Sequence, residues 1–180
     1  MNFNDYKTQA KRTLVQLANE RDDMLHMAMG VSTEIAELLD IIKKNFAYGK
    51  PIDLVHVSEE LGDVYWYLAN ACNIAGIRPT ISKTLKYNEG LFIAHTLHDA
   101  YQFYDIAQNY TNDKSCVKEI KEVIDWLIIR IEAIINHFGL DRSKILEKNI
   151  NKLKTRYPDK FTQEKALNRD LTKERLILEK

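Results

Sequence analysis

The sequence contains few of the residues that interrupt helices, with six glycines and three prolines among 180 residues. Because glycine and proline end helices and build turns, their scarcity favours long helices joined by short connections. Strict alternation of polar and apolar residues, the pattern of a half-buried strand, never persists beyond a few positions. We therefore expect an all-α protein, of a length that fits one domain with a proper core.

Cysteine is also scarce, and charge of neither sign is in excess. Cys72 and Cys116 lack the spacing of a metal-binding pair and are too few for the disulfide framework of a secreted domain. The 26 basic and 26 acidic residues cancel, so nucleic-acid binding through a basic surface is not expected. No apolar run is long enough to cross a bilayer, and the N-terminus lacks the apolar segment of a signal peptide. These absences predict a cytoplasmic protein that binds neither membranes nor nucleic acid.

Apolar residues recur every three or four positions along most of the chain, as on one face of a helix. The predicted core helices span residues 4–19, 24–46, 52–75, 80–110, 116–138 and 142–156. In the second of these helices the apolar stripe runs from Met27 to Phe46. Residues 162–180 are predicted to form an exposed, charged helix or tail, with a thin apolar stripe at Leu167, Leu171 and Leu176 that could dock on a partner chain. The predicted fold is a bundle of five to six helices within residues 1–161, followed by this tail.

Two acidic pairs, Glu34-x-x-Glu37 and Glu60-x-x-Asp63, lie in consecutive predicted helices. Residues three apart share one side of a helix, and each pair borders the apolar stripe of its helix. A hairpin of the two helices would bring four carboxylates together, and their repulsion would call for a cation. A hard divalent ion such as Mg²⁺ prefers oxygen ligands. The spacing favours a metal site, with a solvated or salt-bridged helix face as the alternative.

The two acidic pairs, with residues 38–59 between them, resemble the signature of the MazG-like, all-α nucleoside triphosphate pyrophosphohydrolases. Residues 6–13 resemble that family's first helix, and residues 146–158 resemble its final motif. The similarity covers residues 1–77 and 140–161. The central helices between these blocks, residues 78–139, resemble the duplicated arrangement of the related dimeric dUTPases. In short family members a partner chain completes the helical bundle, and these central helices would complete it within one chain. As in the dimeric dUTPases, a homodimer is still expected.

The resemblance implies Mg²⁺-dependent hydrolysis of (deoxy)nucleoside triphosphates to the monophosphate and pyrophosphate, with Mn²⁺ as a substitute. It implies metal-binding and catalytic roles for Glu34, Glu37, Glu60 and Asp63, of which Glu37 is a candidate general base. The residues implied to bind phosphate in the final motif are Lys148, Asn149, Lys152 and Arg156. The alternative for these is a solvated basic face near a helix end, which the helix dipole would favour.

Further residues are weaker candidates for the substrate site. An alternative phosphate clamp would consist of Lys83, Lys86 and Asn88. These residues follow the first half of the chain, at the position that the final motif has after the second half. Asn70, one turn beyond Trp66, is a candidate for reading a base edge. Trp66 itself is interpreted as a packing residue, although it could stack on a base.

A weak internal repeat relates residues 59–88 to residues 122–149, because in both a helix is followed by glycine, an apolar residue and a second helix ending in asparagine. A degenerate internal duplication would explain it, and chance similarity is the alternative. The positions 63 residues after the four acids are all non-acidic: Leu97, Ala100, Val123 and Trp126. A duplication would therefore leave one metal site per chain.

Two other functions compete with nucleotide pyrophosphohydrolysis. One is a non-catalytic helical module that binds a nucleotide or a protein partner. The other is a guanosine tetraphosphate hydrolase, which would use the same acidic residues with a different pocket. Retention of all four acids favours an enzyme, since a module without catalysis has no physical reason to keep costly neighbouring charges of one sign.

Overall fold

A computed structural model describes residues 1–80, 89–158, 161–162, 164, 168 and 170–179, with side chains described outside residues 89–94. Its α-helices are α1 (Phe3–Ala10), α2 (Glu20–Tyr48), α3 (Leu54–Ile74), α4 (Glu89–Gln108), α5 (Lys114–His137), α6 (Arg142–Arg156) and α7 (Leu171–Glu179). Within these ranges there is no β-strand, and the predicted all-α bundle is confirmed. None of the helices in the described ranges is long and apolar enough to cross a membrane.

Helix α3 lies at the centre of the part of the bundle that carries the acidic pairs. It packs against α2, to which residues 49–53 join it, and also against α1 and α6. Val57, Leu61 and Leu68 on its inner face are fully buried. Helices α4 and α5 form a second pair, which is attached mainly through α2. The buried apolar residues form one continuous core.

The predicted first helix, residues 4–19, is wrong beyond its first half. Helix α1 ends at Ala10, a single 3₁₀ turn follows, and the chain is extended from Leu14 onward. The hydroxyl of Thr13 donates to the Ala10 carbonyl and accepts a hydrogen bond from Trp66 Nε1 at 2.9 Å. A contact with a distant tryptophan fixes this turn, and periodicity within the segment could not reveal it.

Helix α2 begins at Glu20, four residues before the predicted start. Residues 20–23, which lie between the first two predicted helices, are the first turn of α2. Asn19 caps it by accepting a hydrogen bond from the Asp22 amide, and acidic side chains there interact favourably with the helix dipole. The predicted apolar stripe does not reach the end of the helix, because Phe46 is 91% exposed.

The two turns of the internal repeat have the same backbone geometry. Gly76 and Gly139 both adopt a left-handed φ of 64°, and in each turn the next amide donates to the carbonyl five positions back. This is the Schellman ending, in which glycine takes the conformation that other residues disfavour. Because many unrelated helices end in this way, the duplication stays a prediction.

Helix α7 packs on the bundle through residues outside the predicted stripe. Leu171 and Leu176 of that stripe are 63% and 56% exposed, in keeping with an exposed helix, and docking of the stripe on a partner chain stays a prediction. Leu167 lies outside the described residues. The buried residues of α7 are Glu174 and Leu178. A polar side chain thus occupies half of the docking face, which an apolar pattern could not predict.

Candidate functional site

The hairpin of α2 and α3 brings all four predicted acids to one pocket of about 640 Å³. Glu34 and Glu37 line it from α2, and Glu60 and Asp63 line it from α3. One carboxylate oxygen from each of Glu34, Glu60 and Asp63 lies within 4.8 Å of the other two. We call these three residues the carboxylate cluster. The spacing of three within each pair has placed both members on the side of the helix that faces its neighbour.

A second group of possible ligands adjoins the carboxylate cluster. Single donor atoms of Glu37, His56 and Glu60 lie within 4.8 Å of one another. His56 Nε2 is 2.7 Å from Glu60 Oε1. The sequence analysis missed His56, although its position one turn before Glu60 on the same helix was a readable signal. Glu60 belongs to both groups, so the two sets of donors share one wall of the pocket.

Burial and like charges change the protonation of the cluster. Burial, reinforced by the charge of Asp63 and a hydrogen bond with Glu60, raises the pKa of Glu34 to about 9. Burial also raises the pKa of Glu60 to about 7, although the bond with Glu34 offsets part of that rise. Glu34 therefore keeps a proton at neutral pH and donates it to the Glu60 carboxylate. A shared proton limits the repulsion that several buried carboxylates would otherwise suffer.

Helix α6 holds Asp63 from the side away from the pocket. Asn149 Nδ2 donates to Asp63 Oδ1 at 2.7 Å, and Lys152 Nζ donates to Asp63 Oδ2 at 2.5 Å. Lys152 also donates to Glu59 Oε1 at 3.2 Å, and the Tyr6 hydroxyl donates to Asn149 Oδ1 at 2.7 Å. Such contacts behind a ligand fix its orientation. Both oxygens of Asp63 are thereby held in place before any cation or substrate arrives.

Asn149 and Lys152 were predicted to bind phosphate, and the structure places them elsewhere. Both are buried, and neither lines the pocket. Burial lowers the pKa of Lys152, but the charges of Asp63 and Glu59 outweigh it and leave the pKa above its usual value. Gly62 permits this close packing of α6 on α3, because a Cβ at Gly62 would lie 3.0 Å from Asn149 Cβ. In this arrangement the two residues support Asp63, and their binding to phosphate stays a prediction.

The two remaining residues of the predicted clamp differ in position. Arg156 lines the pocket with the carboxylates. Lys148 is not among the lining residues, and its Nζ donates to the Leu178 carbonyl of α7 at 2.6 Å. Of the cations predicted on α6, Arg156 is therefore the one that the described part of the chain brings to the pocket.

Of the weaker candidates, Asn70 is the one that the described residues include, and it lies outside the pocket. Asn70 is fully buried, its amide donates to the Trp66 carbonyl at 3.1 Å, and it does not line the pocket. Packing around α3 buries Asn70, whereas Trp66 one turn earlier is only partly buried and lines the pocket. Lys83, Lys86 and Asn88 lie outside the described residues.

The wall beyond the carboxylates is largely aromatic. Trp66 and Tyr67 line it edge to face, with ring centres 5.0 Å apart. The Tyr67 ring lies directly on Gly30, where a Cβ would come within 2.1 Å of a ring carbon. His26 adjoins Tyr67, and burial lowers its pKa despite the nearby charge of Asp23. An aromatic wall next to an acidic one suits a ligand with a flat, weakly polar part and a charged part.

No family model, curated protein or solved structure matches this chain. The resemblance to the pyrophosphohydrolases therefore rests on the motifs in the sequence. Any functional conclusion has to come from the chemistry of the pocket.

Proposed function

We propose that this protein hydrolyses (deoxy)nucleoside triphosphates to the monophosphate and pyrophosphate with the help of Mg²⁺. The observation that carries the proposal is one pocket that combines the carboxylate cluster, Arg156 and an aromatic wall. A triphosphate needs cations around its phosphates, and its base and sugar need an apolar surface of adequate size. A pocket of about 640 Å³ lies within the range of small-molecule sites.

The donor set of the cluster fits a hard divalent cation. Glu34, Glu60 and Asp63 offer oxygen atoms, the donors that Mg²⁺ prefers. Burial and the neighbouring carboxylates keep a proton on Glu34, which shows that the cluster favours positive charge. A divalent cation would replace this proton on binding. We propose that these three residues bind Mg²⁺. Glu37 and His56 lie beside them, and the imidazole adds a nitrogen donor that transition-metal ions use more readily than Mg²⁺ does.

The proposed reaction assigns a distinct task to each part of the pocket. A bound Mg²⁺ would neutralise phosphate charge and lower the pKa of a coordinated water. Arg156 binds phosphate oxygens, and Asn149 and Lys152 keep Asp63 oriented. As the water oxygen bonds to phosphorus and the bond to the leaving phosphate oxygen breaks, Glu37 accepts the proton that water loses. The aromatic wall holds the base and excludes bulk water.

The direct test is release of pyrophosphate from a panel of ribo- and deoxyribonucleoside triphosphates, with Mg²⁺ and with EDTA. We expect release that requires Mg²⁺ and falls by about 100-fold or more in Glu37→Gln and Asp63→Asn. Glu122→Gln is the matched control, since this exposed glutamate on α5 lies away from the pocket. Orthophosphate as the product would show a different bond being broken. Release by the wild type no faster than by Glu37→Gln would refute the proposal.

A further inference from the structure

Arg156 is held by a carboxylate from α7. Its Nε donates to Glu174 Oε1 at 2.7 Å, and its Nη2 donates to Glu174 Oε2 at 2.5 Å. Two parallel bonds of this kind fix the plane of a guanidinium as well as its position. The Arg156 side chain is 14% exposed and lines the pocket, whereas Glu174 is 4% exposed and does not line it. Glu174 therefore lies behind the guanidinium, on the side away from the pocket.

The contact leaves the arginine suited to bind an anion. The guanidinium carries five N–H donors, and Glu174 uses Nε and one hydrogen of Nη2. Three Nη hydrogens are not used by Glu174; the Tyr157 side chain is a further hydrogen-bond partner of the guanidinium, which faces the pocket where phosphate oxygens would bind. A long arginine side chain loses rotamer freedom when it is fixed. A contact that fixes it before the ligand arrives removes that cost from binding.

Helix α7 is also attached to the helices that carry the rest of the pocket. The carbonyl of Leu178 accepts from Lys148 on α6, and Arg175 Nη1 lies 2.9 Å from Asp53 Oδ2. Asp53 caps the start of α3, the helix of Glu60 and Asp63. The position of Glu174 is thus fixed relative to α3 as well as to α6. The helix also contributes Leu171 directly to the pocket wall.

We propose that Glu174 is a positioning residue, which acts through Arg156 to present its guanidinium to the phosphates of an anionic substrate. The inference depends on the proposed function in one respect, namely that Arg156 faces phosphate. It adds that α7 is part of the substrate site rather than an appended tail. Glu174 does not itself contact the substrate.

The test measures hydrolysis and, separately, binding of inorganic tripolyphosphate by calorimetry in the presence of Mg²⁺. We expect Glu174→Gln to raise KM and weaken tripolyphosphate binding by about tenfold, with a smaller change in kcat. Glu174→Asp, which keeps the charge on a shorter side chain, should lose less. Glu179→Gln is the matched control, because it makes the same change on the exposed side of α7. It should bind tripolyphosphate as the wild type does.

A double-mutant cycle separates positioning from a general structural role. In an Arg156→Gln background, Glu174→Gln should cause little further loss of tripolyphosphate binding, because its effect passes through the arginine. Additive losses would overturn the inference. Unchanged or tighter binding by Glu174→Gln would also overturn it, and tighter binding would show that Glu174 competes with phosphate. Failure of the wild type to bind tripolyphosphate would overturn it as well.

Binding and hydrolysis together separate the two proposals. If the wild type binds tripolyphosphate, Glu174→Gln weakens that binding and no nucleotide is hydrolysed, the proposed reaction fails and the role of Glu174 stands. If nucleotides are hydrolysed and the cycle shows no coupling, the reaction stands and the role of Glu174 fails. Circular dichroism of each variant checks that α7 and the bundle remain folded.

Discussion

Lys152 Nζ lies 2.5 Å from Asp63 Oδ2, and no part of the lysine side chain is exposed to solvent. The lysine is therefore a permanent buried cation beneath a cluster of acids. It compensates part of their charge from inside the protein, on the face opposite the pocket. The stability of the fold and the orientation of a proposed metal ligand thus depend on the same contact.

Replacing Lys152 by methionine should lower the free energy of unfolding by about 3 kcal/mol. Removing one partner of a buried ion pair leaves the other uncompensated, although partial exposure of Asp63 keeps the cost near the low end of the usual range. Urea denaturation at neutral pH would measure it. Lys118→Met is the control, because this lysine is 77% exposed and should change stability little. Equal costs for the two variants would contradict the prediction.

The stability of the metal-free protein should fall as the pH rises from about 4.5 to about 9. The pKa of Glu34 is raised from 4.5 to about 9, so above pH 4.5 the unfolded chain loses a proton that the folded protein keeps. The unfolded state then binds fewer protons, and the free energy of unfolding decreases with pH. Glu60, with its pKa raised to about 7, adds to the effect over the lower part of that range.

Mg²⁺ should reverse this trend, because it binds the ionised carboxylates. Millimolar Mg²⁺ should therefore raise the Tm more at pH 8.5 than at pH 5. Thermal melts with Mg²⁺ or EDTA at both values measure it. Glu34→Gln should make the metal-free protein less sensitive to pH and should reduce the gain from Mg²⁺. A gain independent of pH would exclude these carboxyls as the binding groups.

Gly30→Ala should destabilise the protein by about 1–3 kcal/mol and weaken nucleotide binding. A Cβ at this position would come within 2.1 Å of the Tyr67 ring, so the ring would have to leave its place on the pocket wall. Chemical denaturation and KM measurements would follow the two effects. In a Tyr67→Ala background the ring is absent, and Gly30→Ala should then cost much less. A full cost in that background would show that the clash lies elsewhere.

Local periodicity was sufficient to predict most helices and the convergence of the acids. Glu34 and Glu37 meet Glu60 and Asp63 because both pairs have helical spacing and a short connection joins their helices. The role of Lys152 could not be predicted in this way. The sequence of a helix shows which residues share a face. Only the packing of α6 on α3 shows that the face carrying Lys152 meets Asp63 rather than the pocket. The end of α1 likewise depends on a contact between Thr13 and the distant Trp66.

His56→Gln should lower the affinity for Mn²⁺ more than the affinity for Mg²⁺. His56 lies with Glu37 and Glu60 in the second group of donors, and imidazole nitrogen is a better ligand for transition-metal ions than for Mg²⁺. We expect a loss of about tenfold for Mn²⁺ and a smaller one for Mg²⁺, in keeping with changes at other metal ligands and their supports. Calorimetric titration with each ion measures both. His98→Gln, on the exposed side of α4, is the matched control. Equal losses for the two ions would mean that His56 acts only through its hydrogen bond to Glu60, which holds that carboxylate whichever ion is bound.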